Sequence, residues 1–150
     1  MRRGSLTLER VSISVRGLAL VGLDASVGAG HVLTVMGPSG SGKSTLLAFV
    51  AGFLDHAFDA EGRVLLDGDD ITAMPPEQRR VGLLFQDPLL FPHLSVAGNL
   101  LFAVGRHVAD RDHLVAEALA SAGLEGFGRR DPATLSGGEK ARVALLRVLM

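Results

Sequence analysis

A glycine-rich segment, GPSGSGKST, carries the residue types that are needed to hold a chain of phosphates. It contains the complete GxxxxGK[ST] pattern. Glycines let the backbone turn tightly, so that successive N–H groups point at phosphate oxygens. Lys43 can reach the β- and γ-phosphates, and Ser44 can place its hydroxyl on Mg²⁺. The residues of this predicted nucleotide site are Gly37, Pro38, Ser39, Gly40, Ser41, Gly42, Lys43, Ser44 and Thr45.

The surroundings of this segment support the nucleotide site over a chance glycine loop. The apolar run 31–36 before it predicts a buried strand, and residues 43–53 after it predict a helix. Such a helix offers its positive N-terminal end to an anion. The pattern alone does not separate a transporter ATPase from a GTPase, a kinase or a helicase.

A second glycine pair, in the sequence LSGGE at 135–139, precedes the last predicted helix. Ser136 is a natural N-cap, and Gly137 and Gly138 leave backbone N–H groups open. The segment is therefore a second candidate anion site, of the helix-terminus type. The alternative from these residues alone is a simple capped helix start.

The elements that must position these two segments follow from the hydrophobic pattern. Alternating apolar residues predict strands over 6–15 and 18–27, and short apolar runs predict strands buried on both faces over 31–36 and 81–85. Helices are predicted over 95–104 and 110–122, the second with an apolar stripe of Leu114, Ala118, Leu119 and Ala122. Residues 1–86 are thus predicted to form a sheet region with the phosphate loop, 87–136 a mainly helical region, and 137–150 the last helix.

The composition excludes several classes of protein. The 150 residues carry a net charge of −1, which predicts neither a nucleic-acid nor a membrane-surface partner. There is no cysteine, so disulfides and thiolate metal sites are excluded. No uncharged stretch is long enough to cross a bilayer as a helix, so we expect any membrane role to come through a partner.

The order of GPSGSGKST, Phe85-Gln86 and LSGGEKAR resembles the ATP-binding cassette (ABC) family, from about Leu6 to the end of the chain. In that family LSGGQ is the signature motif, and LSGGE is a common variant. The nearest likeness is to ATP-binding subunits of bacterial importers. It rests on LFPHLSV at 90–96 and on DPAT at 131–134.

The resemblance implies an α/β fold: a P-loop NTPase core, whose mixed sheet has an antiparallel N-terminal edge, plus a helical subdomain. It implies ATP and Mg²⁺ as cofactors, with Ser44 and Gln86 toward the metal. Gln86 would be the catalytic Q-loop glutamine that contacts Mg²⁺ or the attacking water and couples to membrane subunits. The signature residues Ser136, Gly137, Gly138 and Glu139 would contact the nucleotide held by an opposite subunit.

The implied partners are a second copy in a head-to-tail dimer, transmembrane permease subunits and a substrate-binding protein, with no nucleic acid. The implied location is the cytoplasmic face of the cell membrane, reached through the permease. The transported substrate is not encoded in such a subunit, because specificity lies in its partners.

The sequence departs from the family pattern in two places. No aromatic residue precedes Phe49, so adenine would rest on Val15 or another aliphatic residue, or stack on Arg16. The Walker B aspartate, the catalytic glutamate and the switch histidine, which follow the signature in the family, have no counterparts up to Met150. We therefore expect a chain truncated after the signature, with the C-terminal part of the fold missing and segments 31–36 and 81–84 poorly covered.

These departures leave the activity of the chain open. The complete protein would be a transport-coupled ATPase, and the present chain a nucleotide-binding fragment that cannot turn ATP over. A third reading is a non-transport ABC protein of DNA repair or translation, whose relatives usually carry long insertions or basic patches that this sequence lacks.

Overall fold

A computed structural model describes residues 4–150 and divides the chain into two compact units. One unit ends at Leu83, and the other spans Leu84–Met150. The phosphate loop belongs to the first unit, whereas Gln86 and the signature belong to the second.

The first unit is built on a four-stranded antiparallel sheet with strand order β2-β1-β3-β4. Its strands are β1 (Leu6–Val15), β2 (Leu18–Val27), β3 (Phe58–Leu66) and the short β4 (Asp69–Asp70). Val15 pairs with Leu18 at the tip of the first hairpin. The two turn residues between them, Arg16 and Gly17, both have positive φ, which matches the right-handed twist of the flanking strands. The sheet confirms the predicted antiparallel N-terminal edge.

One helix, α1 (Lys43–Ala51), follows the phosphate loop and shares a core with this sheet. It ends at Gly52, whose φ of 85° permits the left-handed cap. The N–H of Phe53 donates to the carbonyl of Ala48, and that of Gly52 to Phe49, so the last carbonyls of the helix are satisfied. The buried core consists of Leu8, Val11, Ile13, Leu46, Phe49, Val50, Val64 and Ile71.

Two strands predicted from apolar runs are not formed. Segments 31–36 and 81–85 make no ladder pairing within residues 4–150, and Val32 and Met36 are 89% and 85% exposed. A strand buried on both faces needs hydrogen-bonding neighbours and covering helices, which the described residues do not provide for these segments. The prediction of strands was wrong here, whereas the expectation that both segments would be poorly covered is met.

The second unit is helical, as predicted. Its helices are α2 (Val96–Ala103), α3 (Arg111–Ser121) and α4 (Gly137–Leu149), with single 3₁₀ turns at Phe127–Arg129 and Pro132–Thr134. Its buried core consists of Val96, Leu100, Val104, Val115, Leu119, Leu124, Leu135 and Val143.

The stripe predicted on α3 is confirmed at Leu119 and Ala122, whereas Val115 takes the place predicted for Leu114. Val115 and Leu119 face the core, while Leu114 is 38% exposed. Val115 and Leu119 lie one helical turn apart on the face that meets Leu124 and Val143, whereas Leu114 is rotated away from that face. Within residues 4–150, none of the helices has the length and apolar character that a membrane span requires.

Candidate nucleotide-binding site

The phosphate loop takes a backbone path that depends on its glycines. Gly40 and Gly42 both have φ of 82°, in the left-handed region that side chains disfavour. Gly42 is the N-cap of α1, and its carbonyl accepts the first helical hydrogen bond, from Leu46 N–H at 2.8 Å. Within the loop, Ser41 N–H donates to the carbonyl of Pro38 at 3.3 Å. The loop therefore leads directly into the start of the helix.

Gly42 also fixes the loop against the sheet. A Cβ at this position would lie 2.9 Å from Leu20 Cγ and 3.2 Å from Val21 Cβ, both on β2. The close approach of backbone to side chain allows only glycine here without a shift. Strand β2 thus sets where α1 begins.

Lys43 lies across the loop. Its Nζ donates to the carbonyls of Gly37 at 2.9 Å and Pro38 at 2.7 Å, and lies 3.5 Å from Ser41 Oγ. The ammonium is therefore held over the loop by two backbone carbonyls, whose place a phosphate oxygen could take as its partner.

The N-terminal end of α1 is left open to an anion. No side chain caps it, and its first turn contains no acidic residue. Its unpaired N–H groups and the helix dipole favour negative charge at this end. Together with Lys43, this arrangement fits the phosphates of ATP. Ser44, in the first turn, is exposed and could offer its hydroxyl to a phosphate-bound Mg²⁺.

The signature forms a reciprocal cap on α4. Ser136 Oγ accepts from the N–H of Glu139 at 3.4 Å, and the Glu139 carboxylate accepts from the N–H and the hydroxyl of Ser136, both at 2.7 Å. The two hydrogen bonds from Ser136 lower the pKa of the Glu139 carboxyl below its usual value. A Cβ added at Gly137 or Gly138 would meet nothing within 4 Å, so this end of the helix presents an open face.

Gln86 lies in the second unit, exposed, next to Asp87. Asp87 Oδ1 accepts from the N–H of Leu89 at 3.4 Å, which begins a turn. The structure therefore brings the residues 37–45 together in one loop and 136–139 together in one helix cap, whereas Gln86 stands in a separate segment.

Arg79 is a residue that the sequence did not reveal as important. It is only 6% exposed, and its guanidinium donates to the carbonyls of Phe49 at 2.8 Å and Val50 at 3.0 Å, at the end of α1. It also donates to the carbonyls of Thr72 and Met74. Burial lowers the pKa of this guanidinium. In the sequence it is one of two adjacent arginines, with no signal to tell it from the exposed Arg80.

A glycine-rich loop that leads into an uncapped helix start, with a lysine over the loop, is characteristic of P-loop nucleotide-binding proteins. A family model described as "ABC transporter" matches residues 20–150. The chain therefore belongs to the ABC transporter family, as the order of its motifs indicated.

Similar proteins include several named ATP-binding subunits. The chain is 46% identical over 148 residues to the ABC transporter ATP-binding protein YnjD of Escherichia coli, covering 97% of the chain and 68% of that protein. It is 48% identical to an Fe(3+) ions import ATP-binding protein, FbpC, of Streptomyces coelicolor, covering 96% of the chain and 42% of that protein. It is 45% identical to a thiamine import ATP-binding protein, ThiQ, of Cereibacter sphaeroides, covering 97% and 62%.

The fold is also similar to a solved structure, that of a bacterial Atm1-family ABC exporter with ATP bound. The TM-score is 0.80 and the sequence identity 30%, over 99% of this chain and 27% of that one. The chain thus spans only part of the length of these proteins.

Proposed function

We propose that the complete protein is the ATP-binding subunit of an ABC importer, which couples ATP binding and hydrolysis to transport. The observation that carries this proposal is the phosphate loop, where Lys43 lies over the carbonyls of Gly37 and Pro38 at the uncapped start of α1. The signature sequence LSGGE, whose Ser136 caps α4, restricts the assignment from P-loop proteins in general to the ABC family.

In the proposed mechanism, Lys43 leaves its two carbonyl partners to bind the β- and γ-phosphates, and the N–H groups of the first turn of α1 bind the same anion. The Ser44 hydroxyl would contact the Mg²⁺ that accompanies ATP. Mg²⁺, when bound with ATP, neutralises charge that develops on the phosphates. Gln86 orients the attacking water or contacts the metal. It also couples the nucleotide site to the permease.

The signature acts on a second nucleotide. The open face at Gly137 and Gly138 suits the γ-phosphate of ATP held by another copy of the subunit, so that two copies pair head to tail. The positive end of α4 and the Ser136 hydroxyl supply the attraction. Permease subunits and a substrate-binding protein complete the assembly at the cytoplasmic face of the membrane.

The names of the relatives support an import system but do not indicate which substrate is transported. Relatives at 41–48% identity include proteins named for the import of Fe(3+) ions, thiamine and spermidine or putrescine. Such different cargoes on similar ATP-binding subunits agree with specificity residing in the partner proteins. We therefore propose no substrate.

The first prediction tests the phosphate loop. Lys43→Ala removes a charge-assisted contact worth about 1.5–3 kcal/mol, so ATP affinity should fall by roughly tenfold to hundredfold. Titration with a fluorescent ATP analogue measures the two affinities. Lys140, the only other lysine of the chain, provides the matched control. Lys140→Ala removes the same charge in the other unit, and it should leave the affinity of the isolated chain unchanged. Equal affinities for wild type and Lys43→Ala would place the nucleotide elsewhere.

A further inference from the structure

The segment that follows Gln86, residues 87–91, belongs to no helix or strand, yet its backbone is held in a defined form. Leu89 has a φ of 46°, in the left-handed region that a leucine rarely adopts. Such a conformation persists only where surrounding contacts impose it. Side chains from two helices of the second unit supply those contacts.

The first contact comes from Arg147, in the last turn of α4. Its Nη1 donates to the carbonyl of Leu89 at 2.9 Å, and its Nη2 lies 3.3 Å from the carbonyl of Pro88. The guanidinium carbon also lies 5.3 Å from the ring centroid of Phe91, in cation–π range. One arginine therefore binds the backbone on both sides of the strained residue.

The second contact comes from Asn99 on α2, whose side chain is fully buried. Its Oδ1 accepts from the N–H of Phe91 at 2.8 Å, and its Nδ2 donates to the carbonyl of the same residue at 3.1 Å. Phe91 is thus fixed to the helical core. Of these two side chains, only that of Arg147 lies on α4, the helix that carries the signature at its N-terminal end.

We infer that Arg147 is a positioning residue for Gln86. Its forked guanidinium connects the segment that follows Gln86 to α4, whose N-cap is Ser136 and whose first turn contains Glu139. A displacement of α4, when the signature engages a nucleotide, then reaches Gln86 through two backbone carbonyls. The role of Gln86 and of the signature rests on the proposed function, whereas the connection itself rests on the contacts within the second unit.

The absence of cysteine from the chain allows a specific test. A single cysteine, Gln86→Cys, carries a trifluoromethyl label whose fluorine spectrum reports the position and mobility of residue 86. In this background Arg147→Ala should shift and narrow the fluorine signal. The N–H groups of Leu89 and Phe91 donate to Asp87 and Asn99, and their hydrogen exchange should become faster by about fivefold once Arg147 no longer holds the carbonyls of this segment. Arg147→Lys keeps the charge but not the fork, so it should restore the signal only in part.

Arg142 provides the matched control, since it lies on the same helix and also donates to a carbonyl. Its Nη1 binds Ala122 at 2.9 Å, at the end of α3 and away from residues 87–91. Arg142→Ala should leave the fluorine signal and the exchange at Leu89 unchanged. If Arg147→Ala leaves the signal unchanged, or if Arg142→Ala changes it equally, the inference is wrong and Arg147 contributes only general stability.

A second measurement separates this inference from the proposed function. In the subunit assembled with its permease, Arg147→Ala should lower the kcat of ATP hydrolysis several-fold and leave the KM for ATP unchanged, because the phosphate loop is intact. An unchanged kcat would refute the positioning role. An assembled wild-type subunit without ATPase activity would refute the proposed function. In that case the fluorine spectra alone would still decide whether Arg147 positions residue 86.

Discussion

At the scale of single residues, Ser136 and Glu139 of the signature cap α4, the helix that begins within the signature. The Ser136 hydroxyl, which the family resemblance directs at a γ-phosphate, donates to Glu139 at 2.7 Å in this structure. The residue that caps the helix and the residue proposed to meet the nucleotide are therefore the same. The charge of Glu139 stabilises this cap.

This arrangement predicts a specific dependence of stability on pH. Hydrogen bonds from Ser136 hold the pKa of Glu139 below its usual value of 4.5. The stabilising contribution is therefore complete above that value and is lost as the pH falls through the lower folded-state pKa. Glu139→Gln keeps a side chain suited to the capping box but removes the charge. The urea midpoints of wild type and Glu139→Gln should differ at neutral pH, and the difference should shrink on acidification below about pH 4.5.

Ser136→Ala provides the control for this prediction, because it removes the hydroxyl donor and keeps the carboxylate and the backbone N–H. In a double-mutant cycle, Glu139→Gln should have a smaller effect once Ser136 is alanine, because only the backbone N–H of residue 136 still donates to the carboxylate. A midpoint difference that is independent of pH would mean that the charge of Glu139 does not stabilise the cap. Fully additive effects would mean that the carboxylate does not act through the Ser136 hydroxyl.

At the scale of elements, the start of α1 depends on two glycines with the same backbone angle and different surroundings. Gly40 and Gly42 both have φ of 82°. A Cβ at Gly40 would meet nothing within 4 Å, whereas one at Gly42 would meet Leu20 Cγ at 2.9 Å. Comparing an alanine substitution at each position therefore separates the cost of positive φ from the cost of packing against β2.

Alanine at each position should give a graded loss of stability. Both substitutions place a side chain at positive φ, at a cost of about 1–2 kcal/mol. Gly42→Ala adds overpacking against β2, typically about 1–3 kcal/mol more. Chemical denaturation of both variants measures the free energy of unfolding. Equal losses would show that the contact between Gly42 and Leu20 does not constrain the loop.

Arg79 belongs to this scale as well, because it connects the other end of α1 to residues 72–74. A Cβ at Gly52 would lie 2.7 Å from Arg79 Nε, so the glycine that ends the helix also makes room for the arginine. Helix α1 is thus fixed at its start by β2 and at its end by a buried arginine.

At the scale of the whole molecule, segments 31–36 and 81–85 have no ladder pairing among residues 4–150 and expose several apolar side chains. Val32, Met36 and Phe85 are 89%, 85% and 53% exposed. Exposed apolar segments with unpaired backbone favour association between chains. We therefore expect the purified 150-residue chain to be marginally stable or prone to aggregation.

The last prediction concerns hydrolysis by this chain. Under the proposed function, Lys43, Ser44 and Gln86 would serve the phosphates, the metal and the water, but no carboxylate among residues 4–150 has a proposed role in orienting the water. Glu139 is engaged with Ser136. The monodisperse chain should release phosphate from ATP no faster than its Lys43→Ala variant, with or without Mg²⁺. Turnover that requires Mg²⁺ and disappears in Lys43→Ala would contradict this, and would direct attention to Asp87 as the group that orients the water.

The sequence by itself determined the features that depend on neighbours along the chain. The phosphate loop follows from glycines at fixed spacing, and the Ser136–Glu139 cap follows from two residues three positions apart. The strands β1 and β2 follow from alternation and a two-residue turn. In each case the interacting groups are close in sequence, so residue type and spacing fix the geometry.

Only the tertiary structure decided the features that depend on distant segments. An apolar run such as 31–36 becomes a strand only when other strands pair with it, and the described residues supply none. Arg79 and Arg147 look like solvated charges in the sequence, yet they bind carbonyls about 30 and 58 residues away. Which carbonyls an arginine meets depends on how far-separated segments pack, and local preferences along the chain carry no information about that packing.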